Sequence, residues 1–151
     1  MEARMKHPVF VVPEAMQALQ ALGKAVHKTG LSPQLIELVN LRASQINGCS
    51  VCVEMHSRSL KAAGESDERI WSVGAWRETP YYDEAERAAL AVTEAATRLC
   101  DRADPVPDEI WEEVSKHFDE TQLAGLMLAI AQINVWNRLN ASTRQLAGTA
   151  W

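Results

Sequence analysis

Residues 123–136, LAGLMLAIAQINVW, constrain the fold more than any other part of the chain. Fourteen residues pass without a charge or a proline, and most are strong helix formers. Apolar side chains recur nearly all round the helical wheel instead of alternating as they would in a strand. A helix of this kind needs other helices on most of its sides, so the stretch is expected to be central, in a helix over 120–146.

The rest of the chain supplies helices to surround it. A first helix is expected over 13–27, with Met16, Leu19, Leu22 and Val26 on one face and Gly30 beyond its end. Ser32-Pro33 is a restart signal, an N-cap serine with proline at the first helical position. The helix that follows runs through LIELVNLRASQI until Asn47-Gly48 breaks it. The next begins near Cys49 and continues to Gly64, a helix-ending residue. A short helix over 67–73 leads into a connection over 76–82. Asp83 opens a long helix to Cys100, with acidic residues in its first turn as the helix dipole favours. After Pro105 and Pro107, PDEIWEEVSKHF makes one more. The expectation is an all-α fold of six to eight helices in one domain over 1–151, its core at about 10–146.

At 151 residues the chain is long enough to bury a core without staples. A net charge of −5 argues against a nucleic-acid partner, which needs a basic face. No run of about 18 apolar residues spans a membrane, and residues 9–12 are too short for a signal-peptide core. A cytoplasmic location is therefore expected. Three cysteines, two of them close neighbours, do not make the even, spread framework of a secreted disulfide scaffold.

The close pair lies in NGCSVCVEMH, residues 47–56. Cysteines at i and i+3 on a helix have Cα atoms roughly 5 Å apart, within reach of a disulfide. Gly48 places them at a helix N-terminus, where free N–H groups and the dipole stabilise a thiolate. His56 lies one turn past Cys52 on the same face. If the flanking helices form an antiparallel hairpin about Asn47-Gly48, Glu37 faces roughly Ser57 and comes level with His56. Glu37 also sits among Leu35, Ile36, Leu38 and Val39, where a carboxylate is costly without a partner. The candidate relay is Glu37 to His56 to Cys52, with Cys49 beside it. Two rival readings stand next to it. The cysteines can be ordinary core thiols, or Cys49, Cys52 and His56 can hold zinc with Glu37, His27 or Cys100 as fourth ligand. Cys100 is read as a core thiol, and His7, His27 and His117 as surface or cap residues. Trp71, Trp76, Trp111, Trp136 and Trp151 are read as core or interface.

Residues 38–47 (LVNLRASQIN) and 125–134 (GLMLAIAQIN) echo each other, sharing Leu41/Leu128 and the Gln-Ile-Asn end. In that register Cys49 falls on Trp136, Cys52 on Leu139, His56 on Thr143 and Glu37 on Ala124. The echo raises an internal duplication in which one copy kept chemistry, and it places Trp136 near the dithiol.

Glu37 twelve residues before Cys49-x-x-Cys52, with His56 four after it, resembles the alkylhydroperoxidase AhpD branch of the carboxymuconolactone decarboxylase superfamily. AQINVWNRLN, residues 131–140, looks like a segment of its peroxidase-related members. The resemblance implies an all-helical fold and a thiol peroxidase or disulfide reductase without a bound cofactor. Cys52 would attack a small hydroperoxide and become a sulfenic acid. Cys49 would resolve that acid to a disulfide, and His56 and Glu37 would relay protons. An external dithiol, in AhpD a lipoyl group on a partner protein, would then reduce the disulfide. The family's trimers and hexamers imply a homo-oligomer. One position departs: AhpD has a histidine just before its second cysteine, and Val51 here removes that proton carrier. The decarboxylase branch lacks the dithiol, so lactone decarboxylation fits poorly.

Overall fold

The computed structural model describes residues 2–148, so Trp151 lies outside the described residues. Among them are eight α-helices, two 3₁₀ turns and no strand. The helix α3 (Pro33–Asn47) starts where Ser32 accepts a hydrogen bond from the Leu35 N–H and Pro33 takes the first helical position. It ends at Gly48, whose φ of 66° lies in the left-handed region that a residue without Cβ enters at little cost. The chain reverses there, and α4 (Ser50–Ala62) returns along α3.

The centre of the fold is α3. It buries Leu35, Ile36, Leu38, Val39, Leu41, Ala43 and Ser44, and α4, α6 (Glu84–Thr97) and α8 (Glu120–Thr143) all pack against it. The helix α8, which its sequence places centrally, packs against five other helices. That helix buries one face, through Leu126, Ala129, Ile130 and Ile133, while Leu128 and Val135 on the other remain 41% exposed. An apolar outer stripe reads as core in a sequence, but here it faces outward. On the flank of α8, α2 (Pro13–Val26) and the segment after it approach so closely that a Cβ on Gly125 would lie 2.1 Å from Thr29 Oγ1. Ahead of α2 runs a one-turn helix, α1 (Pro8–Val11), that periodicity is too short to reveal. The remaining helices are α5 (Asp67–Ser72) and α7 (Asp108–His117).

Several helix ends fall short of the sequence reading. The helix α6 stops at Thr97, so Cys100 sits in the 3₁₀ turn beyond it and is exposed, not a core thiol. Trp76 lies inside a 3₁₀ turn, Val73–Glu78, and is buried, whereas Trp71 and Trp111 are exposed. The two echoing segments meet: Asn47 Nδ2 donates to Asn134 Oδ1 at 3.0 Å, as equivalent residues beside a local twofold would. Beyond them the echo lapses. The break at Gly48 has no counterpart in the unbroken α8, and Leu41 is fully buried where Leu128 is exposed.

One buried carboxylate ties α3, α6 and the Val73–Glu78 turn together. Glu94 on α6 accepts from Arg42 Nε (2.7 Å) and Trp76 Nε1 (3.0 Å) on one oxygen, and from Arg77 (2.6 Å) on the other. Burial pushes its pKa up, but the donors from Arg77, Trp76 and Arg42 outweigh that and hold it below the ordinary 4.5. The unfolded chain therefore binds the extra proton in acid. Stability from this group is complete above pH 4.5 and is lost as pH falls through the lower folded value. Glu94→Gln should cost about 3 kcal/mol at pH 7, because it leaves Arg42 half-buried without its counter-charge. The variant should also show a flatter acid limb. Urea unfolding across pH measures both, and an unchanged midpoint at pH 7 would remove Glu94 from this role.

Candidate functional site

The cysteine pair occupies the reversal between α3 and α4. Cys49 is the N-cap of α4, and its Sγ accepts the Cys52 N–H at 3.3 Å. A sulfur at this position faces the free N–H groups and positive end of the helix. In this structure Cys49 and Cys52 are joined as a disulfide, with Cα atoms 5.4 Å apart. Both are buried in a small cluster with Ala43, Val51, Ile133 and Trp136.

The hairpin places Glu37 against His56. Glu37 Oε2 and His56 Nδ1 are 2.8 Å apart, and the histidine is buried. With the carboxylate ionised, Nδ1 carries the proton and Nε2 holds a lone pair. That Nε2 is buried with no hydrogen-bond partner. Its ring lines a cavity of about 470 Å³, so the free edge is available to a molecule bound there.

The cavity walls come from α2, α3, α4 and α8. Met16, Val26, Ile36, Ala129, Ile133 and Trp136 make them largely apolar, with Phe10 from α1 among them. Cys52 lines this space, whereas Cys49 does not. Val51, at the position noted above, contributes another apolar surface. Polar groups are few: His56, Asn40 and Asn140, with His27 and Gln132 further round. Asn140 Nδ2 donates to Cys52 Sγ at 3.3 Å. Sequence reasoning missed Asn140; the signal was a buried amide recurring in an otherwise apolar helix, at 134, 137 and 140.

Those amides also hold the reversal in place. Asn47 Nδ2 bridges Asn134 Oδ1 (3.0 Å) and Asn137 Oδ1 (2.9 Å), and Asn137 Nδ2 donates to Ser44 Oγ at 3.0 Å. The last turn of α3 is thus tied to α8 just before the cysteines.

Other readings resolve as follows. Among the described residues no group of three His, Cys, Asp or Glu is arranged to hold a metal ion, which leaves the zinc reading without a ligand set. His27 caps the end of α2 and is exposed, and His117 sits at the end of α7. His7 is a cap, as expected, its Nδ1 accepting the Val9 N–H, but it is buried and not at the surface. Trp136 packs on the cysteine cluster.

A helical hairpin with a cysteine pair at its turn, beside a cavity under a carboxylate-backed histidine, defines a redox-type all-α domain. The chain belongs to the carboxymuconolactone decarboxylase family, whose model matches residues 13–95. It is 36% identical over 130 residues to the uncharacterized protein YdfG of Bacillus subtilis, covering 86% of this chain and 87% of that one. It superposes with a TM-score of 0.90 and 35% identity on ATU0492 of Agrobacterium tumefaciens, over 99% of this chain and all of that one. That protein is described as of unknown function and as a candidate antioxidant defence protein AhpD. The debrominase Bmp8 shares the fold at a TM-score of 0.82 and 20% identity, over 93% of this chain and 75% of its own.

Asn137→Ala should lower stability by about 1–3 kcal/mol, since it strips a partner from the buried Ser44 and one of two acceptors from the partly buried Asn47. Thermal unfolding monitored by circular dichroism reads the loss. A wild-type transition would mean the amides do not anchor the reversal.

Proposed function

We propose that the protein is a thiol peroxidase that cycles Cys49 and Cys52 between dithiol and disulfide. The observation that carries this reading is that Cys52, of the two bonded sulfurs, lines the cavity into which His56 also faces. The Cys52 thiolate attacks the terminal peroxide oxygen; the O–O bond breaks, Cys52 becomes a sulfenic acid and the alkoxide leaves. His56 Nε2, having taken the thiol proton, returns it to that alkoxide, while Glu37 holds the ring and balances its charge. The Cys49 thiolate then attacks the Cys52 sulfur, the S–S bond forms and hydroxide leaves, protonated to water. An external dithiol reduces the disulfide by exchange and is itself oxidised, so the net change is peroxide plus dithiol to alcohol, water and disulfide. The apolar walls suit an organic hydroperoxide, and a lipoyl-type dithiol is one small enough to reach the pair. A reducing cytoplasm would keep that donor supplied. A fold shared with a debrominase carries more than one chemistry, so peroxide has to be tested directly.

The chain is further proposed to work as a homo-oligomer. Ala124, Leu128, Ala131 and Val135 recur on the outer face of α8 at spacings of four, three and four, the pattern of a seam that another helix covers.

In the Cys49→Ser variant, one equivalent of an organic hydroperoxide should leave Cys52 as a sulfenic acid trapped by a dimedone-type reagent. Cys52→Ser should trap nothing. His56→Ala and Glu37→Gln should slow trapping on the order of 10²- to 10⁴-fold with the helical circular dichroism unchanged. Trapping in Cys52→Ser alone would reverse the two roles, and wild-type rates in His56→Ala would dismiss the relay. For assembly, light scattering at micromolar concentration should return a trimeric or hexameric multiple of 16.7 kDa. Leu128→Glu with Val135→Glu should reduce that mass; a wild-type chain that is already monomeric refutes the seam.

A further inference from the structure

Three buried acceptors without a donor lie on three helices around one cavity. They are Asn40 Oδ1 on α3, His56 Nε2 on α4 and Asn140 Oδ1 on α8, and all three residues line the space beside Cys52. Two of these residues already have roles. In the proposed cycle His56 Nε2 takes the thiol proton. Asn140 donates from Nδ2 to Cys52 Sγ at 3.3 Å, so its oxygen, on the other arm of the same carbon, is turned from the sulfur. Asn40 is different, because the relay does not use it and no donor of the chain reaches its oxygen. It follows Glu37 by three residues on α3, and so shares the side of that helix that meets His56. Its main-chain carbonyl accepts from Ser44 Oγ at 2.7 Å, and Ser44 is held in turn by Asn137. The backbone is thus fixed without help from the amide. A leucine at this position would extend the apolar wall of Ile36, Val51 and Ile133, whereas a buried amide oxygen with no donor weakens the fold.

We propose that Asn40 is a substrate-binding residue whose Oδ1 accepts the O–H of the bound hydroperoxide and holds its terminal oxygen against Cys52. The chemistry calls for an acceptor. A hydroperoxide carries one polar hydrogen, on its terminal oxygen, and that oxygen is the one the thiolate attacks. In the attack the S–O bond forms and the O–O bond breaks. The electron pair leaves on the alkoxide, which takes its proton from His56 Nε2. The hydrogen on the transferred oxygen stays in place, so the sulfenic acid Cys52–S–O–H keeps the same bond to Asn40. Asn40 therefore fixes the attacked oxygen while His56 serves the leaving one, at the two ends of the O–O bond. The Oδ1 that nothing in the chain answers is answered by the substrate.

The inference rests on the reading that Cys52 reacts with a hydroperoxide, and the test separates the two. In the Cys49→Ser background, the rate of sulfenic-acid trapping with cumene hydroperoxide is divided by the rate of Cys52 modification by methyl methanethiosulfonate. The second reagent responds to the thiolate but has no O–H or N–H. Asn40→Leu should lower that ratio roughly 10-fold or more, the worth of one hydrogen bond in a dry site. Asn40→Ala, which cannot overfill the site, should lower it as far; a loss confined to Asn40→Leu would mean crowding and overturn the proposal. Asn40→Asp keeps an acceptor oxygen and loses the amide hydrogens, so its ratio should stay near the parent's. A fall as deep as that of Asn40→Leu would assign the role to the amide N–H and overturn the proposal. A merely structural role would slow both reactions together, and that unchanged ratio would overturn it as well, leaving the proposed function standing. A peroxide-free arm uses benzyl alcohol, which donates an O–H but cannot oxidise a thiol. It should protect Cys52 from methyl methanethiosulfonate, with half-protection at a roughly 10-fold higher concentration in Asn40→Leu. Benzyl methyl ether, without an O–H, should protect both chains alike. Equal protection of both chains by the alcohol would overturn the proposal. If the Cys49→Ser parent traps no sulfenic acid, the proposed function falls, and protection that depends on Asn40 would still support it as the O–H acceptor of this cavity.

Discussion

The reversal at Asn47-Gly48 is the constraint on which the site depends. A glycine in the left-handed region ends α3 and lets the next residue, Cys49, become the N-cap of α4. Were the helix to run on, Cys52 and Glu37 would lie fifteen residues apart on one rod, more than 20 Å from each other at 1.5 Å per residue. Folding back brings Glu37 within 2.8 Å of a histidine that follows Cys52 by one turn. The reversal is also well held. Asn47 is gripped by two asparagines of α8, so the angle between α3 and α4 is set by a third helix.

This arrangement explains why the fold can afford polar groups in its interior. Glu94, Asn134, Asn137, Asn140 and His56 are all buried, and each would be costly alone. Glu94 answers three donors from two other elements, and Asn134 and Asn137 answer Asn47. His56 and Asn140 differ, because each keeps one polar atom unsatisfied, Nε2 on the ring and Oδ1 on the amide. A half-satisfied histidine over an apolar cavity is what a group kept for a transient partner looks like, whereas the bonds among Asn47, Asn134, Asn137 and Ser44 close on one another.

Sequence reasoning reached the helices with strong boundary signals and the residues whose relation is local or mirrored. Ser32-Pro33 and Gly48 mark α3 because capping chemistry is local, and the level placement of Glu37 and His56 follows from counting away from a turn. The central placing of α8 agrees with its packing against five helices, but its outer stripe was misread for a physical reason. Hydrophobicity around α8 cannot distinguish residues covered within one chain, such as Ala129 and Ile133, from an apolar stripe such as Leu128 and Val135 that this chain leaves open. Cys100 was misread for a related reason. The amphipathic pattern of α6 continues to that position, but the helix stops at Thr97 and the 3₁₀ turn carries the thiol outward.

Asn140 was invisible from sequence because its relation to Cys52 is neither local nor periodic. Residues 52 and 140 meet only once α8 has packed beside α4. Nothing in a lone histidine before Pro8 distinguishes it from an ordinary surface cap, and its Nδ1 does accept the Val9 N–H. Its burial against Phe10 and Trp136 follows from the crossing of residues 4–7 over the end of α8, a long-range contact that no local signal announces.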